Sequence, residues 1–220
     1  MSRDVDRCEI GPGVSNEEAS VSNERAATRQ RLIDAAFTTF AARGFGRSTV
    51  QQVCTAAGFT RGAFYSNFDS MDELYMTVWR QEAGRMIESV RIVGASLSEM
   101  EGLDLHTALS GIESMMPMSM DWFRVSTEFT ALATRRPEIL EMVEAREVAI
   151  RQELGSFVEL LLSRVGRRAF DMDEFCLVLI AAHEGTLVQY MIEPDSTAVH
   201  SRRIRLFTAL VEAYTYKLGE

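Results

Sequence analysis

The sequence contains few cysteines and no apolar run long enough to cross a membrane. Its three cysteines, Cys8, Cys54 and Cys176, are widely spaced and form no CxxC pair, which argues against a disulfide framework and against a cysteine metal site. The apolar run at residues 176–182 is much too short to span a bilayer, and the N-terminus lacks the apolar segment of a signal peptide. We therefore expect a cytoplasmic protein whose thiols are reduced.

Residues that carry catalysis or bind metals are also scarce. The three histidines, His106, His183 and His200, are scattered, and none lies at metal-ligand spacing from a cysteine or another histidine. A serine or cysteine nucleophile with an orienting base cannot be assembled from neighbouring residues. The sequence therefore predicts a non-enzymatic protein with no cofactor and no metal.

Strand-like alternation of apolar and polar residues persists nowhere, whereas apolar residues recur at helical spacing along most of the chain. A length of 220 residues with 46% hydrophobic content is sufficient to bury a substantial core. Residues 1–24 mix glycine, proline, serine and acids without an apolar period, which is typical of a flexible tail. We expect an all-α fold that follows this tail.

The net charge of −9 is unevenly distributed along the chain. Residues 25–68 contain six arginines and one acid, Asp34, which gives this segment a charge of +5. Residues 1–24 carry −4 and residues 69–220 carry −10. A basic segment on an acidic body is the charge pattern expected of a protein that docks on DNA through one end.

Two short helices joined by a tight turn are predicted within residues 48–68. Ser48 and Gln51 have the spacing of a capping box at the start of the first helix. Gly58 is expected to end that helix, because glycine takes the left-handed conformation without a Cβ penalty, and Thr60 is expected to cap the next one. Helices this close must cross steeply, as in a helix-turn-helix whose second helix enters the major groove.

Several motifs in this region resemble the DNA-binding domain of TetR-type transcriptional regulators. They run from about residue 27 to 74 as Phe-Ala-Ala-Arg-Gly-Phe, Ser-Thr-Val-x-x-Val, Ala-Gly-Phe-Thr-Arg-Gly, Phe-Tyr-x-Asn-Phe and Ser-x-x-Glu-Leu. Family members usually carry alanine in place of Cys54 and lysine in place of Met71. The resemblance implies a three-helix helix-turn-helix domain at residues 25–86 and a helical effector-binding and dimerisation domain at residues 87–220.

The function implied by the resemblance is that of a repressor. Such a protein dimerises, binds a palindromic operator on double-stranded DNA and releases it when an apolar small-molecule effector fills the C-terminal domain. The alternative is a constitutive DNA-binding or architectural protein without a ligand.

Residues at the N-terminal end of a recognition helix point at base edges, while flanking groups hold phosphates. Arg61 can pair bidentately with a guanine, and Gly62 allows the backbone to come close. Tyr65 and Asn67 match family positions that contact DNA. The alternative is that Arg61 is simply solvated and that the three-helix module contacts proteins instead of DNA. The predicted DNA contacts are Arg47, Ser48, Thr49, Gln51, Thr60, Arg61, Gly62, Tyr65 and Asn67.

The C-terminal half offers weaker signals. Methionines between residues 115 and 120 lie beside two aromatic residues and either line a pocket or simply form core. We predict ligand contacts at Met86, Ile112, Met116, Trp122 and His183. The last two helices carry more apolar surface than one bundle layer needs, and we predict a dimer interface at Leu179, Leu187, Phe207, Leu210, Val211 and Tyr214.

Overall fold

The protein is almost entirely helical. The computed structural model describes residues 16–98, 104–115, 119–194 and 196–219. Two three-residue strands, β1 (Arg167–Ala169) and β2 (Thr215–Lys217), pair antiparallel, and a 3-10 turn at Phe45–Arg47 joins the first two helices. The predicted all-α class is confirmed. The helices are α1 (Asn16–Arg43), α2 (Val50–Ala57), α3 (Arg61–Tyr65), α4 (Met71–Ser98), α5 (Leu105–Met115), α6 (Met120–Ala133), α7 (Pro137–Arg164), α8 (Met172–Ile192) and α9 (Thr197–Tyr214).

The core around α1 to α4 also includes side chains from α6 and α7. Phe64 of α3 and Phe129 of α6 belong to the same buried cluster. Trp79 of α4 stacks on Phe129 with ring centroids 4.4 Å apart, and Tyr75 contacts Phe129 edge-on at 5.2 Å. Ile139 of α7 is buried there as well. The first three helices therefore depend on the rest of the chain to complete their core.

Helix α8 is apolar on all its sides. By length and composition alone it could cross a membrane, but it packs against α7 and α9 and buries Phe175 and Cys176. Leu177, Val188 and Ile192 of the same helix remain exposed. We interpret α8 as a helix that packs on α7 and α9 with one face and leaves another apolar face uncovered.

Two features of the fold differ from the sequence-based expectation: the start of α1 and the presence of the strands β1 and β2. Helix α1 begins at Asn16, so residues 16–24 of the predicted flexible tail are helical, and the other residues of that tail lie outside the described ranges. A helical extension into solvent needs no apolar period, and residues 22–27 are indeed exposed. The strands β1 and β2 escape prediction because three residues are too few for an alternation to show.

Candidate nucleic-acid interface and ligand cavity

Helix α2 is capped by Thr49, whereas the sequence pattern predicts a cap at Ser48. The Thr49 hydroxyl accepts a hydrogen bond from the Gln52 amide at 3.3 Å, and the Gln52 side chain accepts one from the Thr49 amide at 3.0 Å. The Ser48 hydroxyl instead donates to the Gly44 carbonyl at 2.7 Å and closes the preceding turn. The predicted capping box is therefore wrong by one residue, and Gln51 is left exposed.

The turn between α2 and α3 forms as predicted. Gly58 ends α2 with a φ of 72°, a left-handed conformation that favours glycine. Thr60 accepts a hydrogen bond from the Ala63 amide at 3.2 Å and caps α3. Cys54 is fully buried at the crossing, and its thiol donates to the Thr60 carbonyl at 3.5 Å. Burial raises the pKa of this thiol, with a smaller opposing effect of Arg61, which fits a packing residue rather than a reactive one.

One side of α3 packs on the core and the other is free for contact. Phe64 is 0% exposed, whereas Tyr65 is 52% exposed and Arg61 and Gly62 are also exposed. Thr60 lies exposed just before the helix, although its hydroxyl already serves as the cap. The structure thus brings together, on one surface, the cation, the aromatic hydroxyl and the bare backbone predicted to contact DNA.

The start of α2 adds polar side chains to this surface. We call residues 45–67, which contain α2, α3 and the turns beside them, the recognition module. Arg47, Thr49 and Gln51 are exposed, and the Arg47 Nε donates to the Arg43 carbonyl at 2.9 Å. That bond fixes the direction in which the Arg47 guanidinium leaves the 3-10 turn.

Two predicted DNA contacts hold the module together. Ser48 and Asn67 are both half-buried. Besides the Ser48 bond to the turn, the Asn67 side-chain amide donates to the Ala63 carbonyl at 2.8 Å. Each side chain uses one donor to fix a helix end, which supports a positioning role for both.

Arginines of α1 brace the module, a role that the sequence pattern misses. Arg31 donates to the Ala57 carbonyl at 3.0 Å and lies over the Phe59 ring at 4.6 Å. Arg25 donates to the Ser66 carbonyl at 3.0 Å. Each guanidinium therefore satisfies a backbone carbonyl at the C-terminal end of a short helix. The concentration of arginine on the first helix is the one sequence signal that points to them.

Glu128 of α6 is a second residue that sequence reasoning misses. Its carboxylate accepts hydrogen bonds from the backbone amides of Phe45 at 2.8 Å and Gly46 at 3.3 Å, in the turn before α2. The neighbouring Phe45 ring stacks on Tyr75 of α4 with centroids 4.2 Å apart. This turn is consequently held by both α4 and α6.

A cavity of about 160 Å³ lies among α5, α7, α8 and α9, with Met86 of α4 at its wall. Met86 and His183 line it, as predicted for ligand contacts. Trp122 does not line it, because its ring packs against the core of the first four helices. The side chain of Ile112 and the whole of Met116 lie outside the described residues.

The residues predicted for a dimer interface turn mostly towards their own protomer. Val211 is 5% exposed and belongs to the second buried cluster, so little of its side chain is available to a partner protomer. Apolar periodicity marks the apolar positions of a helix without showing which neighbour covers them. Leu179 and Phe207 line the cavity. Leu210 and Tyr214 pack on that buried cluster, and Leu187 is half-buried.

The polar end of the cavity is built around Arg203. Although Arg203 is only 6% exposed, its guanidinium donates to the Thr186 hydroxyl at 2.6 Å and to Nδ1 of His183 at 2.7 Å. Because arginine is only a donor, His183 must accept at Nδ1 and keep its proton on Nε2. Burial, with the charges of Arg203 and Arg146, lowers the pKa of His183 to about 4, so its ring is neutral.

Comparison with known proteins agrees with this arrangement. The sequence model of the family described as bacterial regulatory proteins, tetR family, matches residues 32–77. The HTH-type transcriptional regulator SrpR of Pseudomonas putida is 44% identical over 55 residues, which are 25% of this chain and 26% of that protein. The HTH-type transcriptional repressor AcnR of Corynebacterium efficiens is 28% identical over 111 residues, 50% of this chain and 53% of that one. The chain thus spans between a quarter and about half the length of these two relatives.

Solved structures resemble the chain over most of its length. A TetR transcription regulator from Haloarcula marismortui superposes with a TM-score of 0.69 at 14% identity and covers 87% of this chain and 100% of its own. GusR of Salmonella enterica gives a TM-score of 0.67 at 21% identity and covers 84% and 96%. At such identities the likeness establishes the fold.

The matching proteins are transcriptional regulators, a non-enzymatic kind of function, which confirms the prediction that the chain is not an enzyme. The ordered motifs of α1 to α4, the geometry of the turn and the shared fold lead to one assignment. Within residues 32–77 the chain carries the helix-turn-helix domain of the tetR family of bacterial regulatory proteins.

Proposed function

We propose that this protein is a DNA-binding transcriptional repressor that binds a palindromic operator as a dimer and releases it when a small apolar effector fills its second domain. The observation that carries the proposal is the exposed surface of α3, where Arg61 and Tyr65 project from a helix whose other side is anchored by the buried Phe64. We infer a cytoplasmic location, because the proposed target is bacterial DNA.

Sequence reading would come from the first turn of α3. An exposed arginine there can donate two hydrogen bonds to a guanine edge in the major groove. Arg47, Thr49 and Gln51 at the start of α2 would lie against phosphates, since polar side chains and helix starts commonly serve that purpose. The net charge of +5 on residues 25–68 supplies the attraction that the acidic remainder of the chain cannot.

Dimerisation would use the uncovered face of α8 and α9. Regulators of this family form dimers. On α8, Leu177, Ala181, Gly185, Val188 and Ile192 are all exposed and spaced three or four residues apart, so they form one stripe. A two-fold axis would bring this stripe against its own copy and hide it from water.

Helix α9 continues the same surface. Leu206, Ala209 and Ala213 are exposed at helical spacing on a helix that packs beside α8. Small side chains at these positions and on α8 would let two helices of one protomer lie close to two helices of the other. The recognition helices of the dimer would then be about 34 Å apart, one turn of DNA.

An effector would act through α4, which reaches from the cavity to the recognition module. Met86 of α4 lines the cavity, while Leu74 and Val78 of the same helix are fully buried in the core beneath α3. A ligand that displaces Met86 would tilt α4 and change the spacing of the two recognition helices. Coupling between such sites is typically about 1–3 kcal/mol, or roughly 5- to 150-fold in affinity.

The experiment that tests this function is footprinting on the DNA that flanks the protein's own gene, followed by fluorescence anisotropy on the protected sequence. We expect one protected inverted repeat and a preference over scrambled DNA of at least about 10³-fold at physiological salt. Uniform, salt-sensitive binding without a protected site would instead favour an architectural DNA-binding protein. A protected site whose affinity no cavity ligand alters would favour constitutive repression.

A further inference from the structure

The cavity has an apolar body and a cationic end, and this division selects the chemistry of its ligand. Its body is lined by side chains such as Leu154, Phe157 and Phe207, which make no hydrogen bonds. Two arginines, Arg146 of α7 and Arg203 of α9, line the same cavity. Two guanidinium groups among the lining residues, one buried and one half-buried, favour a ligand with a negatively charged acceptor.

Arg146 brings an unused donor to this wall. Its side chain is 12% exposed, and its guanidinium lies 5.7 Å from the Trp79 ring centroid and 5.9 Å from that of Trp122. One terminal nitrogen bonds Glu147 at 2.8 Å, and another approaches the Met86 sulfur at 3.9 Å. Its Nε is buried and has no hydrogen-bond partner among the described residues.

His183 lies near both arginines and supplies a second donor. It accepts from Arg203 at Nδ1, so its Nε2 carries the proton and can donate to a ligand. Arg203 lies 2.7 Å from Nδ1 of His183, and Arg146 lines the same cavity as both residues. A carboxylate placed here would gain hydrogen bonds from groups that are already desolvated.

The two acids that the structure describes at this end, Glu147 and Glu184, are more exposed than the two arginines. Glu147 already pairs with Arg146 and is one-third exposed, and Glu184 is exposed at the rim of the cavity. Burial and the charge of Glu147 raise the pKa of Glu184 even though its side chain reaches solvent, and Arg146 opposes that rise. The more deeply buried charges are therefore those of the two arginines.

We propose that the cavity binds a small apolar monocarboxylate, with its hydrocarbon body among the apolar side chains and its carboxylate at Arg146 and the Nε2–H of His183. This inference deepens the effector site of the proposed function and rests on it. A volume of about 160 Å³ sets the size of the body, because a similar apolar cavity of about 150 Å³ holds one benzene ring. Substituted benzoates fit both the size and the charge.

The test is isothermal titration calorimetry on the full-length protein with three probes that share one body: 4-ethylbenzoate, 4-ethylbenzamide and 4-ethylbenzylammonium. We expect the carboxylate to bind at least about tenfold more tightly than the neutral amide and the ammonium to bind most weakly. Equal affinity of acid and amide would overturn the proposal, and so would tightest binding of the ammonium. This ranking needs no variant and does not depend on whether a substitution perturbs folding.

Variants then locate the carboxylate. Arg146→Gln and, independently, His183→Phe should remove the preference for the acid over the amide. Arg202→Gln should retain it, because Arg202 is the exposed neighbour of Arg203 on α9 and bonds only Gln189 among the contacts that the structure describes. Because the preference is a ratio within one variant, a general loss of binding does not imitate the expected result. Retention of the full preference in both cavity variants would overturn the assignment.

Operator affinity measured with and without the carboxylate probe separates the two proposals. If DNA binds specifically while the carboxylate has no advantage, the ligand class is wrong and the regulator stands. If the carboxylate binds as expected but operator affinity stays the same, the ligand site stands and effector-controlled release is wrong.

Discussion

The carboxylate of Glu128 accepts a hydrogen bond at 2.8 Å from the backbone amide of Phe45, although 83 residues separate the two in sequence. This bond joins α6 directly to the turn that precedes α2. Because the Thr49 cap follows this turn by two residues, α6 helps to set the position of the recognition module. Helix α6 therefore provides a connection to the helix-turn-helix in addition to α4.

Replacement of Glu128 by alanine should leave two backbone donors without their acceptor. We expect Glu128→Ala to lower the free energy of unfolding by about 1–3 kcal/mol, as for a lost hydrogen-bond acceptor to partly buried donors. Glu144→Ala, at an exposed position of α7, is the matched control and should change it by less than about 0.5 kcal/mol. Urea unfolding followed by circular dichroism measures both, and equal stability of the two variants would show that the bond contributes little.

Thr49 should matter for stability more than its exposed neighbour Gln51. Loss of the cap in Thr49→Ala should cost about 1 kcal/mol, because the Gln52 amide loses its acceptor. Gln51→Ala should be close to neutral, since alanine is a good helix former and the Gln51 side chain is exposed. Thermal unfolding distinguishes them, and the reverse order would favour the cap at Ser48 that the sequence pattern predicts.

The proposed dimer interface can be tested with two glycines in comparable settings. Gly185 on α8 and Gly84 on α4 are both exposed, and a Cβ at either position would meet open space within its protomer. Neither Gly→Glu substitution should therefore destabilise the protomer, because each replaces a poor helix former. Gly185→Glu should yield monomers, whereas Gly84→Glu should remain dimeric, as measured by sedimentation velocity. Dimers of both variants would place the interface elsewhere.

His183 should make stability depend on pH. Its folded-state pKa of about 4 lies below the usual value near 6.5, so between these values the unfolded chain binds a proton that the folded protein excludes. The stabilisation is complete above about pH 6.5 and is lost as the pH falls towards 4, to a total on the order of 3 kcal/mol. His183→Gln keeps an acceptor for Arg203 and should flatten this dependence.

The measured quantity is the difference in unfolding free energy between wild type and His183→Gln at pH 7 and at pH 4.5, because other groups titrate in both proteins. His106→Gln, at an exposed position of α5, is the control. A difference that stays constant with pH would show that His183 is protonated as readily in the folded protein as in the unfolded chain.

The sequence predicts the local chemistry of the module well. Gly58 and Thr60 are identifiable because a left-handed glycine followed by a capping hydroxyl acts within a few residues. The cap of α2 is harder to place, since Ser48 and Thr49 are chemically similar and the 3-10 turn decides which one is free to accept.

Features that depend on distant contacts could not be predicted. No local pattern pairs Glu128 with Phe45, and no periodicity distinguishes the buried Val211 from the exposed Leu206 one and a half turns earlier on the same helix. The place of Arg203 at the cavity end could not be predicted either, because Arg202, Arg203 and Arg205 differ only in the direction in which they leave α9. Tertiary packing determines which of these residues are buried.

Tyr65 is expected to contact phosphate, in contrast to the base contact that we propose for Arg61. Its exposed ring lies about one helical turn after Arg61 on α3, and we expect its hydroxyl to contact the DNA backbone. Tyr65→Phe should weaken binding to operator and to scrambled duplex by similar factors, since a phosphate contact carries no sequence information. Fluorescence anisotropy on both duplexes measures this, and a loss confined to the operator would assign base reading to Tyr65 as well.

The central claim is that α3 reads DNA sequence through Arg61, and one measurement tests it most directly. Affinities of wild type and Arg61→Ala are determined by anisotropy on the footprinted operator, on its single-base variants and on scrambled DNA at one salt concentration. The account predicts a loss of about 1–3 kcal/mol on the operator, a much smaller loss on scrambled DNA and relaxed preference at one position per half-site. An equal loss on every duplex would show that Arg61 contacts only phosphate and would contradict the claim.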